Sequence, residues 1–135
     1  MKKTRLLTSL VIVIALVTAC APAAQDEALL TVGEQGYTRS ELEALGTQSV
    51  DYTDKDGETT TYEGVSLAAL LDDAGLTGST LIFTAADDYQ ADAAAEEVLG
   101  CENCIVAFDG EGLRLVMPDF SGKLQVKDLV SITAE

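Results

Sequence analysis

Two cysteines, Cys101 and Cys104, form a CxxC pair and are the residues best suited to chemistry in this 135-residue chain. A pair at this spacing can cycle between dithiol and disulfide, bind a soft metal, or form a structural disulfide. The pair follows a segment that favours helix, and the C-terminal end of a helix disfavours a thiolate. Two thiolates also fall short of a four-ligand metal site. We therefore expect a disulfide or redox pair, with the structural disulfide favoured.

Histidine is absent from the chain, and this narrows the chemistry further. Ser-His-Asp and Cys-His catalysis, His-ligated zinc and c-type haem attachment all require it and are excluded. Any catalysis must use carboxylates, cysteine, tyrosine, basic side chains or a bound cofactor. The sequence assigns no catalytic residue.

Four residues match part of a calcium loop. Asp54, Asp56, Gly57 and Glu63 have the spacing of positions 3, 5, 6 and 12 of an EF-hand. Position 1 falls on Tyr52, which has no carboxylate, and the flanking residues alternate as strands do, whereas an EF-hand needs helices. A hairpin turn is the favoured interpretation, and Asp54, Asp56 and Glu63 remain a weak calcium candidate.

Asp87, Asp88 and Tyr89 follow the mostly apolar segment 80–85. We predict that this segment is a strand buried on both faces. Loops that follow buried strands often carry functional residues. Asp87, Asp88 and Tyr89 are therefore candidate ligand-binding residues.

The first residues have the parts of an export signal. Met1–Arg5 is basic, Leu6–Val17 is apolar, and small residues precede Cys20. The apolar run is short for a membrane-spanning helix. A cysteine at this place resembles the lipobox of bacterial lipoproteins, in which the thiol receives a diacylglycerol and becomes the new N-terminus. We predict a signal peptide over residues 1–19 and lipidation of Cys20, with ordinary cleavage or a retained anchor as alternatives.

A lipidated Cys20 fixes the expected location and the domain organisation. Acyl chains contribute about 0.8 kcal/mol per buried CH₂, so a multiply acylated cysteine holds its protein on a membrane. Residues 20–27 are small, polar and Pro-containing, and we predict that they are a tether. Residues 28–135 have the length of one domain. We expect a protein anchored in membrane lipid on the extracytoplasmic face of the cell membrane.

The charge excludes one class of partner. Without residues 1–19 the chain has five basic residues against 23 acidic ones, and it should be repelled by nucleic acid. The acidity indicates solvation of an exported domain, with cation binding or an acidic partner surface as the alternative. Arg114 either binds an anion or pairs with a nearby carboxylate, and pairing is favoured. Lys123 and Lys127 are candidates for the same anion on the same grounds.

Capping residues predict two short helices in the domain. Thr38 and Glu41 have the spacing of a capping box, which opens a short helix. Ser66 is a good N-cap for a second helix over 67–74, whose leucines share one face, and Gly75 suits its C-terminal end.

The remaining segments favour strands. Alternating residues on both sides of an Asp-Gly turn predict a β-hairpin. Residues 91–99 favour a helix, and strands are expected at 28–32, 105–108, 113–117, 123–126 and 129–132. Because strands and helices mix without a regular βαβ rhythm, the fold class is α+β. We predict a single compact domain of mixed β-sheet with two or three short helices.

Several motifs occur in a recognisable order. They are Tyr62-Glu-Gly-Val-Ser-Leu, Asp87-Asp88-Tyr89, Gly112-Leu-Arg-Leu-Val-Met-Pro118 and the segment Lys123 to Ile132. Their order and spacing resemble the oxidoreductase molybdopterin-binding domain, which has the sulfite-oxidase-like fold. The resemblance covers about residues 47–133 and implies that fold. It also implies that the turn at 87–89 lies near a pterin pocket.

The chain departs from the pattern of the catalytic family members. In those members a Cys thiolate, in the strand region before the Gly-Val turn, binds molybdenum, and His and Arg surround the pterin phosphate. The corresponding region here, about Thr47–Tyr52, has no cysteine, and the chain has no histidine. The resemblance therefore implies an inherited fold without molybdenum catalysis.

Together these features predict a membrane-anchored extracytoplasmic lipoprotein. Its domain is expected to be a non-catalytic module that binds a small ligand or a protein partner, with no cofactor. One alternative is a molybdopterin-dependent oxidoreductase or an electron-transfer accessory subunit, with molybdopterin as cofactor. The other is a thiol redox lipoprotein that uses Cys101 and Cys104.

Overall fold

Nine β-strands and three short α-helices make up residues 27–135, the part of the chain that the computed structural model describes. The predicted signal peptide and Cys20 lie outside these residues. In chain order the elements are β1 (Leu30–Val32), β2 (Gln35–Tyr37), α1 (Arg39–Ala44), β3 (Thr47–Thr53), β4 (Thr59–Ser66), α2 (Leu67–Ala74), β5 (Thr80–Ala85), β6 (Gln90–Ala94), α3 (Ala95–Leu99), β7 (Ile105–Asp109), β8 (Gly112–Val116), a 3₁₀ turn (Gly122–Leu124) and β9 (Leu129–Ala134).

The strands form two sheets. The five-stranded sheet has the order β2-β1-β9-β5-β6, and its β1–β9 pair is parallel. The four-stranded sheet has the order β3-β4-β7-β8 and is antiparallel throughout. A mixed sheet with three helices and no regular βαβ rhythm confirms the predicted α+β class.

The predicted helix signals are confirmed. Thr38 and Glu41 form both hydrogen bonds of a capping box at the start of α1. The Ser66 side chain accepts a hydrogen bond from the Ala69 amide at the start of α2, and Gly75 ends that helix in the left-handed conformation with φ of 64°.

Three predicted segments are wrong. Strand β5 alternates between buried and half-buried residues, so it is not buried on both faces. Residues 91–94 belong to strand β6, and only 95–99 are helical, because the alternating alanines suit an edge strand. Residues 123–126 are no strand, since a 3₁₀ turn occupies 122–124. Strand β2 lies in a segment for which no strand was predicted.

The main core lies between the two sheets and contains residues from both sheets and from all three helices. A smaller apolar cluster includes Val50, Ile105, Ala107 and Val116, with two tyrosines packed against it. Strand β4 reaches β7 at Gly64, which pairs with Ala107. A Cβ atom at Gly64 would overlap the Val106 backbone, so this close approach requires glycine.

The helices of residues 27–135 are short. The longest has eight residues, and none is long and apolar enough to cross a membrane.

Candidate functional site

A cleft of about 400 Å³ opens beside the four-stranded sheet. One wall belongs to the β3–β4 hairpin, and the other to β8 and the segment 122–127. Its lining residues are Tyr52, Asp54, Lys55, Glu58, Thr60 and Tyr62 on the hairpin side, and Arg114, Gly122, Gln125 and Lys127 on the other.

The hairpin forms a wall because it extends beyond its neighbour. Strands β3 and β4 pair from Thr47 and Val65 to Thr53 and Thr59, whereas β7 pairs with β4 only from Gly64 onward. The turn is fixed by Asp54, whose Oδ1 accepts hydrogen bonds from the amides of residues 56 and 58 at 2.9 and 3.0 Å. The strand pairing and this turn therefore hold the lining side chains in place.

The opposite wall is held to β8. The Gln125 side chain donates to the Met117 carbonyl at 2.6 Å and accepts from the Met117 amide at 2.9 Å. The Leu115 amide donates to the Val126 carbonyl at 2.8 Å. These bonds fix the backbone on which Lys127 is placed.

Arg114 is the least exposed charged residue of the cleft, at 8%. Its Nη1 donates to the Tyr62 hydroxyl at 2.8 Å, and its guanidinium carbon lies 4.7 Å from the centre of the Tyr62 ring. Nη1 is also 3.9 Å from a carboxylate oxygen of Asp109. One nitrogen of the guanidinium is thus held by the protein.

The other edge of Arg114 lacks partners. Nε is buried and makes no hydrogen bond, and Nη2 makes none to the described residues. Nε and Nη2 share one edge of a guanidinium, where parallel N–H groups match two oxygens of a carboxylate or phosphate. A buried donor without a partner costs about 1–3 kcal/mol.

Positive charge is concentrated at this cleft. Lys55, Arg114 and Lys127 are three of the five basic residues after position 26, in a chain with 23 acidic residues. Asp54 and Glu58 also line it, and Asp54 already caps the hairpin turn. Cations gathered in a concave site raise the local concentration of anions. The arrangement therefore suits a small oxyanion.

Comparisons with known proteins assign the fold. Residues 23–135 match the family model of the oxidoreductase molybdopterin binding domain. The chain belongs to this family. The resemblance read from the sequence motifs is thereby confirmed.

A solved structure shares this fold of the molybdopterin-binding domain family. The crystal structure of the sulfane dehydrogenase SoxCD from Paracoccus pantotrophus superposes with a TM-score of 0.62 at 21% sequence identity. The match covers 81% of this chain and 38% of the SoxCD chain, so this chain spans well under half of that protein's length. No curated protein matches the sequence significantly.

The cleft fits only part of a molybdopterin cofactor. Arg114, with its unpartnered Nε, and the two lysines suit an anionic group such as a phosphate. No cysteine lines the cleft, and Cys101 and Cys104 are bonded to each other. Among the described residues, the cleft lining therefore has cations compatible with a phosphate and has no thiolate for molybdenum.

Two of the anion-binding candidates predicted from the sequence line this cleft. Arg114 lines it, and so does Lys127. Lys123 is exposed beside the cleft and does not line it. Lys55 and Tyr62 also line the cleft but were not predicted as site residues. Lys55 lies in a polar turn and Tyr62 in a strand. Because basic residues are scarce in this chain, Lys55 could have been predicted as part of an anion site.

Asp87, Asp88 and Tyr89 form the turn between β5 and β6 and do not line the cleft. The Asp87 side chain accepts a hydrogen bond from the Tyr89 amide at 3.1 Å. The Tyr89 hydroxyl donates to the Lys123 carbonyl at 2.9 Å. The turn thus contacts the backbone of the cleft wall, and ligand binding by its side chains stays a prediction.

The disulfide between Cys101 and Cys104 is present and confirms that expectation. It joins the end of α3 to the start of β7, and Cys104 is fully buried. The Gln48 side chain donates to the Glu102 carbonyl inside this loop at 2.8 Å. A redox role for the pair stays a prediction.

The calcium candidates lie along the hairpin. Asp54 caps the turn, Asp56 is exposed in it, and Glu63 lies on β4 opposite Ser49. Within residues 27–135, no group of three acidic or cysteine side chains is placed to hold a metal ion.

Proposed function

We propose that this member of the molybdopterin-binding domain family is a lipid-anchored extracytoplasmic module. It binds a small oxyanion-bearing ligand in the cleft and does not catalyse molybdenum chemistry. The observation that carries the proposal is the buried Arg114 with its unpartnered Nε, in a cleft that Lys55 and Lys127 also line. Loss of the catalytic apparatus with retention of the fold is compatible with the general separation of fold from function.

The side chains in the cleft support binding more than catalysis. The lining residues are tyrosines, carboxylates, cations and neutral polar residues, with no cysteine and no histidine. Asp54 is committed to the turn, and the Gln125 side chain is committed to β8. Glu58 remains beside the hydroxyl groups and the three cations of the lining, and the cations and hydroxyl donors are the groups that would recognise an anion.

Calorimetric titration of the full-length protein with sodium sulfate and sodium phosphate, at low ionic strength, tests the binding. We expect saturable binding with one site, weakened by added sodium chloride because the contacts are ionic. Binding without saturation, or binding that Arg114→Met leaves unchanged, would contradict the proposal. Arg39→Met is the matched control, because that arginine lies away from the cleft lining.

The family match supports molybdopterin as an alternative ligand, in which case the chain is an oxidoreductase or an accessory subunit. The phosphate-compatible cations of the cleft suit the anionic group of that cofactor. Metal and pterin analysis of protein purified from a molybdenum-replete native host distinguishes the molybdopterin-binding protein from the non-catalytic oxyanion-binding module. Stoichiometric molybdenum and pterin would overturn the non-catalytic proposal, whereas a domain free of both that binds oxyanions would support it.

The membrane anchor is proposed from Cys20 and the preceding residues of the chain. Mass spectrometry of the protein extracted from membranes should find Cys20 at the N-terminus and acylated. Cys20→Ser should release the protein from the membrane fraction. An unmodified cysteine, or a variant that stays membrane-bound, would contradict the anchor and leave the cleft proposal intact.

A thiol redox function is the remaining alternative. The disulfide supports it only weakly, because Cys104 is fully buried and therefore shielded from a partner thiol. Trapping a mixed disulfide between Cys101 and a periplasmic or extracellular thiol protein would favour it over a structural role.

A further inference from the structure

We infer that Tyr89 is a positioning residue for the cleft, because its hydroxyl holds the backbone of the wall that carries Lys127. This inference rests on the proposed oxyanion binding. The Tyr89 ring is 44% exposed and does not line the cleft, so its effect on a ligand passes through the wall. The hydroxyl donates to the Lys123 carbonyl at 2.9 Å.

The turn of Tyr89 holds the wall at both ends. The Ala86 amide donates to the Asp128 carbonyl at 2.8 Å, and the Tyr89 hydroxyl reaches the Lys123 carbonyl. Segment 123–128 is therefore attached to the β5–β6 turn at its first and last residues, in addition to the bonds that join Gln125 and Val126 to β8. Lys127 is the residue immediately before the second attachment.

Hydrogen bonds within the β5–β6 turn fix the backbone of Tyr89. The Ala85 amide donates to the Tyr89 carbonyl at 2.8 Å, and the Asp87 carboxylate accepts from the Tyr89 amide at 3.1 Å. Asp88 has φ of 68°, a conformation that aspartate tolerates better than most residues. With its backbone fixed in this way, Tyr89 has one free polar atom, and the cleft wall accepts its hydrogen bond.

The hydrogen bond from Tyr89 restricts the conformations of the segment that carries Lys127. Arg114 lies on β8 and is held by its own contacts, whereas Lys127 lies on the irregular segment. Removing one attachment lets the segment sample more conformations, and the ligand must then order it on binding. One hydrogen bond corresponds to about a three- to tenfold change in affinity.

The test is sulfate binding by Tyr89→Phe in the full-length protein. This variant removes only the hydroxyl, and the exposed ring leaves no cavity. We expect sulfate affinity to fall about three- to tenfold, with the Tm close to that of the natural protein. Tyr37→Phe is the matched control: it removes a phenol that donates to Asp73 at 2.7 Å, away from the cleft, and should leave sulfate affinity unchanged.

A second variant distinguishes positioning from general loosening. If Tyr89 acts through Lys127, then Tyr89→Phe should have little further effect in a Lys127→Met background. The same fold-loss in both backgrounds, or natural affinity in Tyr89→Phe, would overturn the inference. Absence of sulfate binding by the natural protein is a different result, because it would overturn the proposed function itself.

Discussion

Two arginines pack over aromatic rings in this domain, and they differ in what the protein leaves available. Arg39 lies 4.5 Å from the centre of the Phe108 ring, and Arg114 lies 4.7 Å from that of Tyr62. The Arg39 side chain is 43% exposed, donates to Glu43 and to the Gly110 carbonyl at 3.1 Å each, and joins α1 to the β7–β8 turn. Arg114 is buried, with one nitrogen satisfied and Nε unpartnered.

The two arginines differ in how much water reaches their guanidinium groups, and this difference is the basis of the binding proposal for Arg114. At the surface, water satisfies any nitrogen that the protein leaves free, so an exposed arginine gains little from a ligand. In a buried position the unsatisfied donor is costly, and an oxyanion that reaches it contributes more. We therefore propose the cleft arginine, and not the surface one, as the ligand contact.

The largest expected effect is that of Arg114→Met on binding. Sulfate affinity should fall at least about tenfold, because a hydrogen bond to a charged group contributes about 1.5–3 kcal/mol. The free energy of unfolding should stay within about 1 kcal/mol or rise, because methionine keeps the apolar stem and removes the unpartnered donor. Calorimetry and urea unfolding measure both. A variant that binds sulfate normally would remove Arg114 from the site.

Tyr37 gives a contrast to the two arginines, because its side chain is neutral and its hydroxyl donates a hydrogen bond to the negatively charged Asp73. Burial, then this hydrogen bond, then the negative charges of Asp73 and Glu41 raise the pKa of Tyr37 from 10.0 to about 12. The neutral phenol is therefore favoured in the folded protein, and its contribution is complete below pH 10. The free energy of unfolding should therefore fall as the pH rises from 10 to 12.

Urea unfolding at pH 9 to 12 checks this loss, with Tyr37→Phe as the control. The phenylalanine variant should show a flatter decline over the same interval, since it has no phenol to ionise. Parallel declines for the two proteins would show that Tyr37 is not the group responsible.

A smaller effect is expected from Tyr62→Phe, which keeps the ring over Arg114 and removes the oxygen that accepts from Nη1. The guanidinium of Arg114 already has no partner at Nε, and in this variant Nη1 loses its hydrogen bond to the phenol as well. The free energy of unfolding should therefore fall by about 1 kcal/mol. Sulfate affinity should fall a few-fold, because the guanidinium is less fixed. Thermal unfolding and titration measure the two changes, and an unchanged stability would indicate that water replaces the phenol.

The smallest effect is expected from Arg39→Met. Its ion pair with Glu43 and its contact with Phe108 are half-exposed, so the free energy of unfolding should fall by less than about 1 kcal/mol. Sulfate affinity should not change. A loss of affinity here that equals the loss in Arg114→Met would abolish the distinction between the two arginines.

The sequence predicted the features that depend on local chemistry. The capping box at Thr38, the Ser66 cap and the Gly75 helix end each follow from a residue type and its neighbours within one turn, and all three are confirmed. The disulfide follows from the CxxC spacing. The motif order predicted the family and hence the fold.

Features that depend on distant contacts were harder to predict. Segment 123–126 reads as a strand, yet its backbone is held by β8 and by the β5–β6 turn. Lys55 joins the cleft only because the hairpin extends beyond β7, and Tyr62 is identified only by its contact with Arg114. The unpartnered Nε has no signal in the sequence, because it depends on packing around one side chain.

The most direct test of the account is the NMR signal of the Arg114 Nε–H group during titration of the full-length protein with sulfate. The side chain is buried, so this proton should exchange slowly enough to be observed. The account predicts a saturable shift of the Arg114 signal, with the Arg39 signal unchanged. A stationary Arg114 signal while sulfate binds, or equal unsaturated shifts of both arginines, would contradict oxyanion binding at this cleft.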